Sequence, residues 1–270
     1  MLTVPVSFYC FNDFVLLCKS FRIEYMNKKS TVILFSFTLI FLCASIVLAA
    51  PNKERNIVFV TANSDANSIS SKLIIYDSLQ LNELGLSRAA FDKAVKGYSY
   101  LLSSGKIKNE NIISIIDFSL PSDKKRLFVI DLQNGELLFN TFVAHGKKSG
   151  EKLPTVFSNK IESKKSSLGF YVTGETYFGH RGYSLRLEGE EKGINDNAMR
   201  RGIVMHSAAY VDESVIEERG YIGRSFGCPA VPANVYKEII ETIQNGTCLF
   251  IYSPDKFYET HSKIIKQIKG

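Results

Sequence analysis

The sequence predicts a mainly β protein of the α+β class, with helices at its front and one near its end. Three observations predict it. Short runs rich in β-branched and aromatic residues recur between residues 126 and 252, separated by glycines and polar clusters. Two of these runs meet at Asn134-Gly135, the strongest short hairpin signal. Helical periodicity is confined to the stretches before residue 105 and after residue 233.

At the N-terminus, Lys28 and Lys29 precede an apolar stretch from Thr31 to Ala50, which ends in small residues with Val47-x-Ala49 as cleavage context. Residues 26–50 are therefore expected to be a secretory signal peptide or an uncleaved signal anchor. Either way the lysines stay inside and the rest is exported. Residues 1–25 make little sense ahead of such a signal and are expected to be an overlong gene start, the true start being Met26. Residues 51–71, rich in Asn, Ser and Ala, are expected to be a linker, and residues 72–116 a helical N-terminal segment. In that segment a short helix is expected over Leu73 to Leu84. A second starts at Ser87 as N-cap, buries Phe91, Val95, Tyr98 and Leu102, and stops at Gly105.

Residues 117–262 are expected to form the catalytic domain and 263–270 a tail. The expected strands are Arg126–Leu132, Glu136–Ala144, Gly169–Thr173, Tyr183–Leu187, Ile203–His206 and Cys248–Tyr252. A helix from Ala233 to Asn245 presents Val235, Ile239 and Ile243 on one face, with Gly246 as its stop.

Composition narrows the function classes. With 270 residues, 45% hydrophobic and 22% charged, the chain can bury a core and is not a disordered polymer. The formal charge of +6 falls by two when residues 1–50 leave, because Lys19, Arg22, Lys28 and Lys29 go with Asp13 and Glu24. That is a weak basis for a nucleic-acid partner, and none is expected. Lys147, Lys148, Lys164 and Lys165 are expected to be a solvated face. No His/Cys spacing suits a metal, and no phosphate loop or dinucleotide fingerprint occurs, so no metal or cofactor is expected.

The informative segment is Gly223-Arg-Ser-Phe-Gly-Cys-Pro-Ala-Val-Pro232. It puts Cys228 on a constrained loop, whereas Cys248 sits inside an apolar run. A thiol nucleophile needs a base, most often His. His206 ends the run Gly202-Ile-Val-Met-His206 and is held where a strand aims side chains at loops. A Cys228–Cys248 disulfide and a merely buried Cys228 are the alternatives that the residues alone leave open.

His206-Ser207 followed by Ser225-Phe-Gly-Cys228 resembles the His…[Ser/Thr]-x-Gly-Cys signature of the L,D-transpeptidase (YkuD-like) catalytic domains, in particular their murein branch. The similarity extends through Ser119–Pro121, Val143–Gly146, Leu168–Gly174 and Gly193–Asp196. The resemblance implies an L,D-transpeptidase-like β-sandwich core. It implies an exported cysteine acyltransferase acting on peptidoglycan stem peptides: a Cys thioester forms, D-Ala is released, and the acyl group passes to an amine. Transfer to water would make the protein an L,D-carboxypeptidase instead. By the same resemblance Cys228 is the nucleophile, His206 the base and Ser207 the carbonyl that orients it. Gly227 and Cys228 supply oxyanion N–H groups, and Gly227 leaves room for the substrate carbonyl.

Two positions depart from the family pattern: Ala230 stands where Arg is common, and Phe226 where His is common. Arg224 is the expected substitute for the missing charge, by its suitability for carboxylates. Ser225, Tyr210 and His180 are further candidates for substrate contact, with His145 and Asn195 also near the matched segments. The missing Arg keeps open a catalytically silent wall-binding module, and the Cys/His pair alone also fits an unrelated thiol peptidase.

Overall fold

In a computed structural model the described residues are 69–268. The expected gene start, signal and most of the expected linker lie outside them. Helix α1 (Ile69–Ser78) begins and ends earlier than the Leu73–Leu84 expected, and turns carry the chain on to Ser87. Helix α2 (Arg88–Ser103) is capped as its sequence demands, Ser87 Oγ accepting the Ala90 N–H at 3.2 Å. Its buried face holds Phe91, Ala94, Val95, Tyr98 and Leu101, so Leu101 rather than Leu102 points inward. Gly97 belongs to that face because a Cβ there would fall 2.0 Å from Phe170 Cζ; the missing side chain lets the helix sit on the sheet.

The sheet contains β1 (Ile112–Asp117), β2 (Leu127–Asp131), β3 (Glu136–Thr141), β4 (Gly169–Gly179), β5 (Gly182–Gly189), β6 (Val204–Ser207), β7 (Ala230–Val231) and β8 (Cys248–Tyr252). Its order is β3-β2-β1-β8-β4-β5-β6-β7. β1 runs parallel to β8, β6 parallel to β7, and the other neighbours are antiparallel. Beyond β3 the chain bridges back to the other edge, Ala144 pairing with Ala230 and Gly146 with Ser225. The mainly β expectation thus takes the form of one mixed, nearly closed barrel-like sheet with helices packed on it. A continuous core joins Phe91, Phe170, Phe250 and Tyr258, with Phe170 stacked on Phe250 at 4.2 Å.

Several boundaries need correcting. All of β1 but Asp117 lies inside the stretch expected to be helical. Every residue of Ile-Ile-Ser-Ile-Ile-Asp is buried, so the run lacks the alternation that marks a half-exposed strand. The Asn134-Gly135 turn is longer than a two-residue hairpin: Asp131 Oδ1 caps the Gln133 and Asn134 amides. The expected strand to Ala144 ends at Thr141. β4 and β5 outrun their expected lengths and meet at Gly179–Gly182, placing His180 and Arg181 at a hairpin tip.

Helix α3 (Glu213–Arg219) was not expected, since it buries nothing, although Asp212 and Gly220 cap it. The expected Ala233–Asn245 helix is α4 (Tyr236–Ile243), with Ile239, Ile240 and Ile243 inward. The expected tail instead begins with helix α6 (Lys263–Gln267), which follows α5 (Lys256–His261) and buries Ile264 and Ile265 in the core. Among the described residues no helix is long and apolar enough to cross a membrane.

Candidate active site

β6 carries His206 into the site. His206 pairs with Ala230 of β7 in parallel register, and Ser207 with Val231. Cys228 lies two residues before Ala230, on the loop that leads into β7. The backbone amide of Val204, two residues before His206 on β6, lies against the Cys228 sulfur. Cys228 and Cys248 are both free thiols, so no disulfide joins them.

His206 is 2% exposed. Its Nδ1 lies 2.7 Å from the Ser207 carbonyl oxygen, which can only accept. Nδ1 therefore donates, and in the neutral ring Nε2 holds the lone pair. Nε2 is buried and has no hydrogen-bond partner among the described residues. Burial pushes the imidazole below its ordinary range; the Ser207 carbonyl opposes this, and the charges of Arg181 and His180 reinforce it. Burial also pushes the Cys228 thiol up, partly countered by the Val204 amide, Arg181 and Arg201. Both shifts favour the neutral imidazole and the neutral thiol. The thiol proton points at the Gly202 carbonyl, with a sulfur–oxygen distance of 3.6 Å, and makes no hydrogen bond to His206.

The loop that presents Cys228 is locked by Ser225. Its hydroxyl accepts the Gly227 N–H at 2.9 Å and donates to the Cys228 carbonyl at 2.7 Å. The Gly227 N–H expected to face an oxyanion is therefore committed to Ser225. The reason for glycine also differs from the one expected. Gly227 has φ +129°, and a Cβ there would lie 2.8 Å from the Lys165 carbonyl oxygen; protein, not substrate, fills the space.

Of the other expected residues, Tyr210 stands near the pair. It is half-buried, and burial raises its phenol while Arg181 lowers it and Cys228 raises it. His180 is exposed at the hairpin tip, where its charge reaches His206. Arg224 is turned elsewhere: it donates to the Gly150 carbonyl at 3.0 Å and sits over the Tyr221 ring. The positive charges that act on Cys228 are instead those of Arg181 and Arg201. Asn195 is a buried latch, its amide donating to the Leu168 and Phe170 carbonyls.

His145 is buried too. Arg126 Nη2 donates to its Nδ1 at 2.8 Å, which leaves Nε2–H for the Gly150 carbonyl at 3.2 Å. Ala230 is fully buried among Phe142, Ala144, Val211 and Ile222. Sequence reasoning missed Arg181 and Arg201. The signal for Arg181 was the Gly-His-Arg-Gly turn between two strands.

The L,D-transpeptidase catalytic domain family model matches residues 82–252, more than half of the chain, and the chain belongs to that family. Among solved structures it is similar to an L,D-transpeptidase from Mycobacterium smegmatis, with 13% identity over 53% of this chain and 59% of that one and a TM-score of 0.34. It is also similar to a mutant of the helical cell shape determining protein Pgp2 from Campylobacter jejuni, with 16% identity over 64% and 60% and a TM-score of 0.36. The chain spans about three fifths of the length of these two proteins. No curated protein sequence matches it.

Proposed function

We propose that the protein is an exported L,D-transpeptidase: a cysteine acyltransferase that acts on peptidoglycan stem peptides. One observation carries the catalytic reading. A buried histidine, fixed by the carbonyl of Ser207, keeps an unpartnered Nε2 on the strand whose Val204 amide lies against the Cys228 sulfur. A structural histidine would spend both nitrogens, as His145 does. The basic and apolar stretch from Lys28 to Ala50 supports export.

In the proposed reaction the thiol turns from the Gly202 carbonyl toward His206, and Nε2 takes its proton. The sulfur attacks the carbonyl of the diamino acid in the stem. The Cys228 N–H, not Gly227's, faces the developing oxyanion; such a donor is typically worth ~10²–10³ in rate. The C–N bond to D-Ala breaks as the imidazolium returns the proton to the departing amine. An amine of a second stem then attacks the thioester with His206 again as base, and the sulfur leaves and is reprotonated. Because burial favours the neutral form of both groups, His206 works in this reading as a general base rather than as the partner of a preformed thiolate.

The test is incubation with disaccharide tetrapeptides, followed by mass spectrometry, beside Cys228→Ala. Crosslinked dimers with loss of D-Ala, absent in the variant, are the expected result. Cys228-dependent tripeptide alone would make water the acceptor. No Cys228-dependent product from folded, reduced protein would overturn the proposal.

A further inference from the structure

A cavity of about 590 Å³ is lined by Phe226 of the Cys228 loop and by Lys148, Lys164, Arg181, Arg200 and Arg201, with Ile161 and Glu162 at its wall. We propose that this cavity is the subsite for a carboxylate of the stem peptide, bound by Arg181 and Arg200. The inference rests on the acyl-transfer reading and adds to it what the missing family Arg at Ala230 leaves unassigned.

Five cations against one lining carboxylate make the cavity strongly positive. Among the described residues, Lys148, Lys164, Arg181 and Arg200 have no carboxylate within ion-pair distance. Arg201 is different. Its guanidinium is spent on the carbonyls of Ser158 and Lys165 and on the hydroxyls of Ser163 and Ser167, so it builds the floor and contributes charge. Arg181 projects from the β4–β5 tip, and Arg200 is exposed.

The cavity shares Phe226 with the Cys228 loop, and the charges of its Arg181 and Arg201 act on Cys228. Phe226 stands two residues before Cys228, and Arg201 Nη2 lies 3.2 Å from where a Cβ on Gly227 would be. Phe226 is 52% exposed, with Lys147 Nζ 4.6 Å and Lys164 Nζ 5.3 Å from its ring centroid. This gives an apolar wall with cations around it, a surface suited to a peptide that carries a carboxylate. The planar guanidinium forks of Arg181 and Arg200 suit that group better than a point charge does.

The experiment uses the full chain as Cys228→Ala. Calorimetry compares a free-acid disaccharide tetrapeptide with a form whose non-terminal carboxylates are amidated. Amidation is expected to weaken binding about 10-fold or more, the range of a hydrogen bond to a charged group. Adding Arg181→Gln and Arg200→Gln is expected to bring the free acid down to the amidated level and leave the amidated form where it was. Equal binding of the two peptides, or equal loss of both on the arginine substitutions, overturns the subsite. Inorganic phosphate binding more tightly than the free-acid peptide also overturns it, in favour of a phosphate-bearing polymer. Carboxylate-dependent binding without turnover by the Cys228 protein would sustain the subsite and sink acyl transfer. Turnover indifferent to amidation would do the reverse.

Discussion

His206 and Ser207 are chain neighbours on β6, and the imidazole of one donates to the carbonyl of the other at 2.7 Å. A backbone carbonyl cannot be mutated away or drift far from its own strand, so the tautomer is fixed by main-chain geometry. His206→Ala removes the buried base whose Nε2 is unpartnered. The expected loss in Cys228 acylation by stem peptide is at least ~10²-fold, the usual contribution of a positioned general base. Stopped-flow or single-turnover mass spectrometry reads it. Acylation within a few-fold of the parent protein would show that the thiol needs no help from His206.

The pH profile is set by the same geometry. His206 works only when neutral, and burial holds it below its ordinary 6.5. Activity is therefore expected to persist below pH 6.5 and to fall only as pH drops through the depressed value. Arg181→Gln removes a cation that helps depress it, so the acid limb is expected to shift to higher pH. Cys228, raised by burial, is expected to keep gaining iodoacetamide reactivity above pH 9, its ordinary value. A reactivity plateau already reached near neutrality would mean a preformed thiolate and would contradict the neutral-pair mechanism.

Much of this arrangement was legible in the chain. Ser87 announced its helix, Asn134-Gly135 its hairpin, and the Gly202–His206 run delivered its histidine to a strand end beside the cysteine loop. What was not legible has physical causes. Ile112–Asp117 is buried on both faces, and periodicity has nothing to say about such a strand. Arg224 and Arg181 are both arginines near glycines; only the three-dimensional course of β4 and β5 decides that it is Arg181 whose charge acts on Cys228. The amide of Gly227 was expected to face substrate, and its capture by Ser225 depends on a loop torsion that residue type does not determine.

Ala230 offers a test of whether the family's Arg could simply be restored. The side chain is fully buried among Phe142, Ala144, Val211 and Ile222, and its backbone pairs with both His206 and Ala144. Ala230→Arg would overpack that cluster and bury an unpaired charge. The expected destabilisation is about 3 kcal/mol or more, read as a lower urea midpoint. A variant as stable as the parent would mean that the β6–β7 edge opens readily, and that the cation pocket around Arg181 is not the only way to place charge here.

His145 makes stability depend on acid. Burial first, then the charge of Arg126, holds its pKa at about 3, against an ordinary 6.5. Between those values the unfolded chain binds a proton that the folded chain refuses, so stability falls as pH drops through this window. The contribution is on the order of 1.4 kcal/mol per pH unit while both limits are far away. Below about pH 3 the group no longer adds to the slope. His145→Gln keeps an acceptor for Arg126 and removes the titration. Its urea midpoint is expected to decline less steeply than the parent's from pH 6 to pH 4. Parallel declines would assign the acid sensitivity to carboxylates instead.

Ser225 ties the reactive loop together with one hydroxyl: it accepts from Gly227 at 2.9 Å and donates to the Cys228 carbonyl at 2.7 Å, while its own N–H reaches the His145 carbonyl at 2.9 Å. Ser225→Ala keeps the last bond and leaves two buried main-chain groups unsatisfied. The expected cost is about 1–3 kcal/mol. The more telling effect is on Cys228, whose carbonyl and preceding amide lose their anchor. Its alkylation by iodoacetamide at pH 7 is expected to speed up as the loop opens, while acylation by stem peptide slows because nucleophile and base lose their alignment. Ser225→Thr retains the hydroxyl and is expected to restore both rates toward the parent values. Should alkylation and acylation move together in Ser225→Ala, the hydroxyl would be acting on thiol access alone and not on the geometry of attack.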